Sequence, residues 1–150
     1  MGEKVDLIEF VKFRPQKDED RSLILNSWLK SFRNSHETRN VPKEIYYVAQ
    51  EKVVEDTIDS VQVLVAHHLE DVDHVLGYIV FENDEPNAAI IHYVFVKQPY
   101  RKFGIARSLW EQATKDASEC FHTHTTYTGN TILEKHKSTY NPYKKIGIRI

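Results

Sequence analysis

Nine consecutive residues, Ala88-Ala89-Ile90-Ile91-His92-Tyr93-Val94-Phe95-Val96, are apolar on both alternating sets apart from His92. A strand with one wet face alternates apolar and polar side chains, so a strand that does not alternate must be covered on both sides. The run therefore predicts a central strand, with helices lying on both faces of its sheet. At 150 residues the chain has the length of one compact domain, and folding should bury roughly 70% of its unfolded surface.

The flanking sequence supplies the other elements. Residues 5–13 carry Val5, Leu7, Ile8, Phe10, Val11 and Phe13 and stop at Pro15, which cannot donate to a ladder, so a first strand is expected there. Asp18-Glu19-Asp20 suits the positive end of a helix, and Leu25, Trp28, Leu29 and Phe32 follow at helical spacing, predicting a helix over about 18–33. Pro42 fits the first turn of a second helix ending near Ser60, with Ile45, Val48, Ala49, Lys52 and Val53 as its buried stripe. Residues 61–66 and 74–81 read as a hairpin around a turn at 70–73, and 83–87 as a second turn. After the central strand, Ile105, Leu109, Ala113 and Ala117 predict a helix reaching about Cys120. A strand over 121–128, a short helix over 131–138 and an extended end over 140–150 complete the order β-α-α-β-β-β-α-β-α-β. The expectation is one α/β domain over residues 1–150, with a mixed, mostly antiparallel sheet flanked by helices.

Charge and cysteine content narrow the partners. Lys plus Arg is 20 and Asp plus Glu is 22, a net charge of −2 with His neutral, which argues against a general polyanion binder but not against a local basic patch. The single Cys120 excludes an intrachain disulfide and a Cys-rich zinc site. No apolar run approaches the roughly 18 residues that span a bilayer. Met1-Gly2-Glu3-Lys4-Val5-Asp6 is too polar for a signal peptide. A soluble cytoplasmic protein without a membrane partner is expected.

The stretch with most chemistry in it follows the central strand: Gln98-Pro99-Tyr100-Arg101-Lys102-Phe103-Gly104-Ile105-Ala106. Gly104 lets backbone approach a ligand closely, and the helix that starts beside it offers unpaired amides at its positive end. Arg101, Lys102 and Arg107 add positive charge, so a pyrophosphate suits the loop; a Gly-containing turn that binds nothing is the plain alternative.

Arg101-x-x-Gly104-x-Ala106, placed between Tyr93-Val94-Phe95-Val96 and an amphipathic helix, resembles the acyl-CoA signature of the GNAT N-acetyltransferase superfamily, Gln/Arg-x-x-Gly-x-Gly/Ala. The element order is similar over nearly the whole chain. The resemblance implies acetyl-CoA as acyl-donor cosubstrate and an amine as acceptor, with direct transfer between them. It implies that Val94, Phe95 and Val96 lie along the pantetheine arm, on a strand splayed from its neighbour. It further implies that Arg101, Lys102, Phe103, Gly104, Ile105 and Ala106 cradle the pyrophosphate, while backbone amides stabilise the developing oxyanion.

An amine acceptor must lose a proton and the departing thiolate must gain one. His92 is the candidate base, on the reading that it shares a strand face with Val94 and Val96; a core histidine held by one hydrogen bond is the equal alternative. For the acid, the family often has a Tyr about seven residues after an Asn. Asn130 fits, but Lys137 stands where the Tyr would be. Tyr140 is the candidate chosen, with Tyr127 and Tyr143 as others. His122-x-His124 could share a metal, yet no carboxylate or Cys stands at ligand spacing, so none is expected. His67, His68 and His74 are expected to be solvated, Trp28 and Trp110 to be buried, and Cys120 to be inert at a helix end.

Two other functions stay open: an inactive relative of the fold acting as an interaction module, and a nucleic-acid-associated protein using Lys135, Lys137, Lys144, Lys145 and Arg149. The acceptor and the oligomeric state, a homodimer included, are not readable.

Overall fold

The computed structural model describes residues 7–35, 37–84, 87–115, 117–124 and 138–141. A 3-10 turn, Leu7–Phe10, leads into β1 (Val11–Pro15), and another, Asp18–Asp20, into α1 (Arg21–Arg33). There follow α2 (Lys43–Ser60), β2 (Gln62–His68), β3 (Asp71–Asp84), β4 (Ala88–Val96), a 3-10 turn at Gln98–Tyr100, α3 (Ile105–Ala113), β5 (Glu119–His122) and β6 (Thr139–Tyr140). The six strands lie in chain order in one sheet. The steps from β1 to β4 are antiparallel, while β4–β5 and β5–β6 are parallel. A parallel neighbour needs a crossover, and α3 provides the one between β4 and β5.

Both faces of the sheet are covered. On one, α3 packs Ile105, Leu109 and Trp110 against Leu76, Ile79, Phe81, Ile91, Val94 and Val96. On the other, Ile24, Trp28 and Phe32 of α1 and Tyr46, Val54 and Ile58 of α2 meet Val63, Val65, Tyr78, Val80 and Tyr93. This is why β4 lacks polar alternation: it contributes to both cores, and each fully buried aliphatic side chain is worth about 1.5–3 kcal/mol.

Several boundaries differ from the sequence reading. The first strand begins at Val11 and includes Pro15. Proline is tolerated there because β1 is an edge strand, paired among the described residues only with β2. The β2–β3 strands run up to a two-residue turn, Leu69-Glu70, rather than a four-residue one. His67 is buried, not solvated. In α2 the expected stripe faces outward: Ile45 is 60% and Val48 76% exposed, while Tyr46, Val54, Thr57 and Ile58 face the core. The helix has apolar residues on opposite sides, and Tyr46, whose hydroxyl donates to the Leu29 carbonyl, fixes which side turns inward. The third helix stops at Ala113, not near Cys120. Ser118 and Glu119 amides both donate to Asn87 O, drawing the chain onto the start of β4, so Cys120 lies on a strand. The expected strand over 121–128 ends at His122 as far as it is described. Residues 125–128, residues 131–137 of the helix expected over 131–138 and residues 142–150 of the extended end expected over 140–150 lie outside the described residues. No described helix is long and apolar enough to cross a membrane.

Candidate functional site

Among the described residues the sheet opens beside β4. Its pairing with β5 runs from Ala88↔Glu119 to Ile91↔His122, and the Thr123 amide adds one further bond to Ile91 O at 3.1 Å. Beyond that no described β5 residue stands in register with Tyr93 to Val96, whereas β3 follows β4 to the Gly77↔Val96 pair. The Lys97 amide donates to Leu76 O, toward β3. Peptide groups alternate along a strand, so those of Val96 and Val94 point to the open side. Gly77 is required for the close approach of β3: a Cβ there would come within 2.5 Å of Phe95 O.

The loop continues from that open edge. Arg101 folds back, donating through Nε to Val96 O at 2.7 Å, with its guanidinium 5.8 Å from the Phe95 ring centroid. Lys102 has φ 71° and Gly104 φ 90°, both in the left-handed region, which costs a non-glycine residue about 1–2 kcal/mol. Gly104 is the N-cap of α3 and has no side chain to cap it; Ser108 N–H takes Gly104 O, and the amides of Ile105, Ala106 and Arg107 precede that first helical bond. Among the described residues nothing lies within 4 Å of a Cβ placed on Gly104. Ile105 and Leu109 anchor the helix in the core beneath, Phe103 is exposed, and Arg107 makes a surface pair with Glu111. Open space at Gly104, a helix start without a side-chain cap and a stretch of β4 edge that no described strand pairs thus lie next to one another, and a helix start of this kind is a place where anions bind.

His92 does not share a face with Val94 and Val96. The β3–β4 register shifts from Val80↔Tyr93 to Phe81↔Ile91, leaving His92 as the extra residue of a β-bulge. Ile91 and Val94 therefore both pack under α3, and His92 turns to the α1–α2 side with Tyr93 and Glu82. It is 0% exposed. Its Nδ1 lies 2.7 Å from Thr123 Oγ1, and that hydroxyl is also 2.9 Å from His124 Nδ1. His124 Nε2 meets Gln50 Nε2 of α2 at 3.2 Å. On the far side, His92 Nε2 has no hydrogen-bond partner among the described residues, but Glu82 Oε1 is 3.6 Å away. The His124 ring rests edge-on against Trp28 and Phe32, with centroids 5.0 and 4.7 Å away. The structure thus joins Glu82, His92, Thr123, His124 and Gln50 from α2, β3, β4 and the segment after β5. Sequence reasoning found His92, and weighed His124 only as a metal ligand. Glu82, Thr123 and Gln50 carry no local pattern that would single them out.

Tyr140 is on β6, beside His122 at a 5.5 Å ring separation, so β5 stands between it and β4. The structure does not bring Tyr140 and His92 together. His122 accepts or donates at Ser138 Oγ, 2.8 Å from Nδ1, and burial lowers its pKa. Burial raises the Cys120 thiol, which leaves it less ionised than a free cysteine. Burial likewise pushes the Tyr93 hydroxyl up to about 12. Among the described residues no group of three His, Cys, Asp or Glu side chains could hold a metal ion.

A comparison of the sequence with known families agrees with this geometry: the acetyltransferase (GNAT) family matches residues 22–145. The chain belongs to that family, whose acyl donor is acetyl-CoA. A search of curated proteins gives no match. Among solved structures, the chain is similar to the apo form of YjaB from Escherichia coli, with TM-score 0.56 and 18% identity over 85% of this chain and 79% of that one. It is similar to the PaiA N-acetyltransferase of Thermoplasma acidophilum in complex with coenzyme A, with TM-score 0.57 and 16% identity over 84% and 87%. A predicted acetyltransferase of Clostridium acetobutylicum with acetyl-CoA gives TM-score 0.53 and 12% identity over 90% and 94%. At these identities the structural likenesses speak for the fold.

Proposed function

We propose that this chain is an acetyl-CoA-dependent N-acetyltransferase, transferring the acetyl group directly to an amine. The observation that carries the reading is the continuity of the cradle: a β4 edge that no described strand pairs runs straight into an α3 start at Gly104 with no side-chain cap. Bound there, acetyl-CoA supplies a thioester, an acyl group ready for attack. Val94 and Val96 offer outward peptide groups to the pantetheine arm, and Phe95 lies between them. Arg101 holds the loop to the strand, and the backbone from Lys102 to Ala106 receives the pyrophosphate.

The acceptor arrives as an ammonium and must be deprotonated. His92 is the base in this reading, with Glu82 Oε1 3.6 Å from its Nε2. Tyr140, with β5 between it and β4, takes no part in the proton chemistry proposed. A cytoplasmic location accords with the single Cys120. The nucleic-acid alternative rests on Lys135, Lys137, Lys144, Lys145 and Arg149, which lie outside the described residues.

Thiol release from acetyl-CoA across a panel of primary amines tests the assignment. At least one amine should raise release in the wild type. Gly104→Glu, which sets bulk and negative charge in the cradle, should lower it about 100-fold, equivalent to about 2.8 kcal/mol. Gly104→Ala, with open space for its methyl, should lose much less. Binding of acetyl-CoA with no release on any amine would favour the inactive interaction module instead.

A further inference from the structure

The base proposed above has no surface. His92 is 0% exposed, on a bulge under the α1–α2 layer, so an amine cannot reach it. His124 is half-buried against Trp28 and Phe32 of α1 and Gln50 of α2, and a single hydroxyl joins the two rings. Resting on the acetyltransferase reading, we infer that His124 is the end of the base that meets the acceptor, and that Thr123 passes the proton from His124 to His92.

The hydrogen-bond chemistry gives the chain one direction. An amide nitrogen only donates, so His124 Nε2, 3.2 Å from Gln50 Nε2, is a lone pair and His124 Nδ1 carries the proton toward Thr123 Oγ1, 2.9 Å away. Thr123 in turn gives its own proton to His92 at 2.7 Å, so the His92 proton is on Nε2 and its Nδ1 is a lone pair. The three hydrogen bonds agree with this one orientation, which turns His92 Nε2–H toward Glu82 Oε1, 3.6 Å away. The two imidazoles are held as opposite tautomers, a state that neither ring alone would select.

The transfer balances in protons. The acceptor ammonium displaces Gln50 and gives its proton to His124 Nε2. His124 Nδ1–H passes to Thr123 Oγ1 as the Thr123 hydroxyl proton moves to His92 Nδ1. The amine lone pair is freed, His124 ends neutral with its proton on Nε2, Thr123 is again a hydroxyl, and His92 becomes an imidazolium beside Glu82. The charge thus comes to rest in a dry site against a carboxylate, away from the acceptor. Trp28 and Phe32 fix the plane of the His124 ring during the exchange. Thr123 is a positioning and relay residue; it touches neither substrate.

Long-range 1H–15N spectra of the imidazoles, recorded without acetyl-CoA, read the tautomers directly. The wild type and Thr123→Ser should show His92 as Nε2–H and His124 as Nδ1–H. In Thr123→Val, which keeps the shape and loses the hydroxyl, that opposition should disappear. With an amine from the panel, Thr123→Val should lower kcat by about 100-fold, the low end for a lost general base. KM for acetyl-CoA should stay as in the wild type, and Thr123→Ser should restore kcat. Equal tautomers on the two rings of the wild type would overturn the relay, as would a folded Thr123→Val with undiminished kcat. Should Thr123→Val not fold, the wild-type spectrum and the kcat of Thr123→Ser decide. A wild type that shows opposite tautomers but acetylates no amine would sink the acetyltransferase reading and leave the hydrogen-bonded chain standing.

Discussion

Asp20 shows how far a residue's role can depart from its place in a pattern. Its position among three acids at a helix start suggests a dipole partner. In the fold its carboxylate accepts two bonds from the Arg14 guanidinium, at 2.6 and 3.0 Å, and the Lys17 amide at 2.7 Å. Burial alone would raise its pKa, but the Arg14 bonds and charge outweigh burial and hold it below the ordinary 3.8. A depressed carboxyl adds stability above its unfolded pKa, lost as pH falls through its folded value. Asp20→Asn should therefore cost about 1–3 kcal/mol at neutral pH, read by urea unfolding. The deficit should shrink below about pH 4, where the wild type loses the same ion pair. A deficit unchanged at low pH would remove the charge from the explanation. Arg14 lies on β1 only six residues earlier, but which carboxylate it meets depends on how the chain turns between β1 and α1, and neither strand nor helix periodicity reports that turn.

At the level of elements, β4 was legible and its bulge was not. Burial on both faces follows from composition along one strand, whereas a bulge exists only against the register of β3, and that register is set by tertiary pairing. The one missed step moved His92 from the α3 face to the α1–α2 face and so changed its neighbours altogether. The second helix failed for a related reason: two apolar stripes compete, and only contact with α1 and the sheet chooses between them. Gly77 ties β3 to the cradle strand. Gly77→Ala would set a methyl against Phe95 O and Val96, and either strand must give. It should destabilise the protein by about 1–3 kcal/mol, and hydrogen exchange should speed first in β4 near Phe95. Unchanged exchange there would mean that β3 and β4 are not so closely apposed.

Across the molecule, the order of elements and the mixed sheet emerged from periodicity because hydrophobic layers leave the same trace wherever they occur. The cradle was legible too, since the residues from Arg101 to Ala106 are contiguous and a glycine at a helix start has few uses. The proton chain was not, because its members come from α2, β3, β4 and the segment after β5 and meet only when the sheet has closed. The central claim concerns the cradle, and thermal unfolding with and without acetyl-CoA tests it most directly. At a hundredfold excess over its dissociation constant, a ligand that binds only the folded state adds about 2.7 kcal/mol. For a chain of this size that is a rise in Tm of about 5–11 °C. The account predicts that rise for the wild type and its loss in Gly104→Glu. A wild-type transition that does not move at millimolar acetyl-CoA, or one that moves equally in Gly104→Glu, would contradict it.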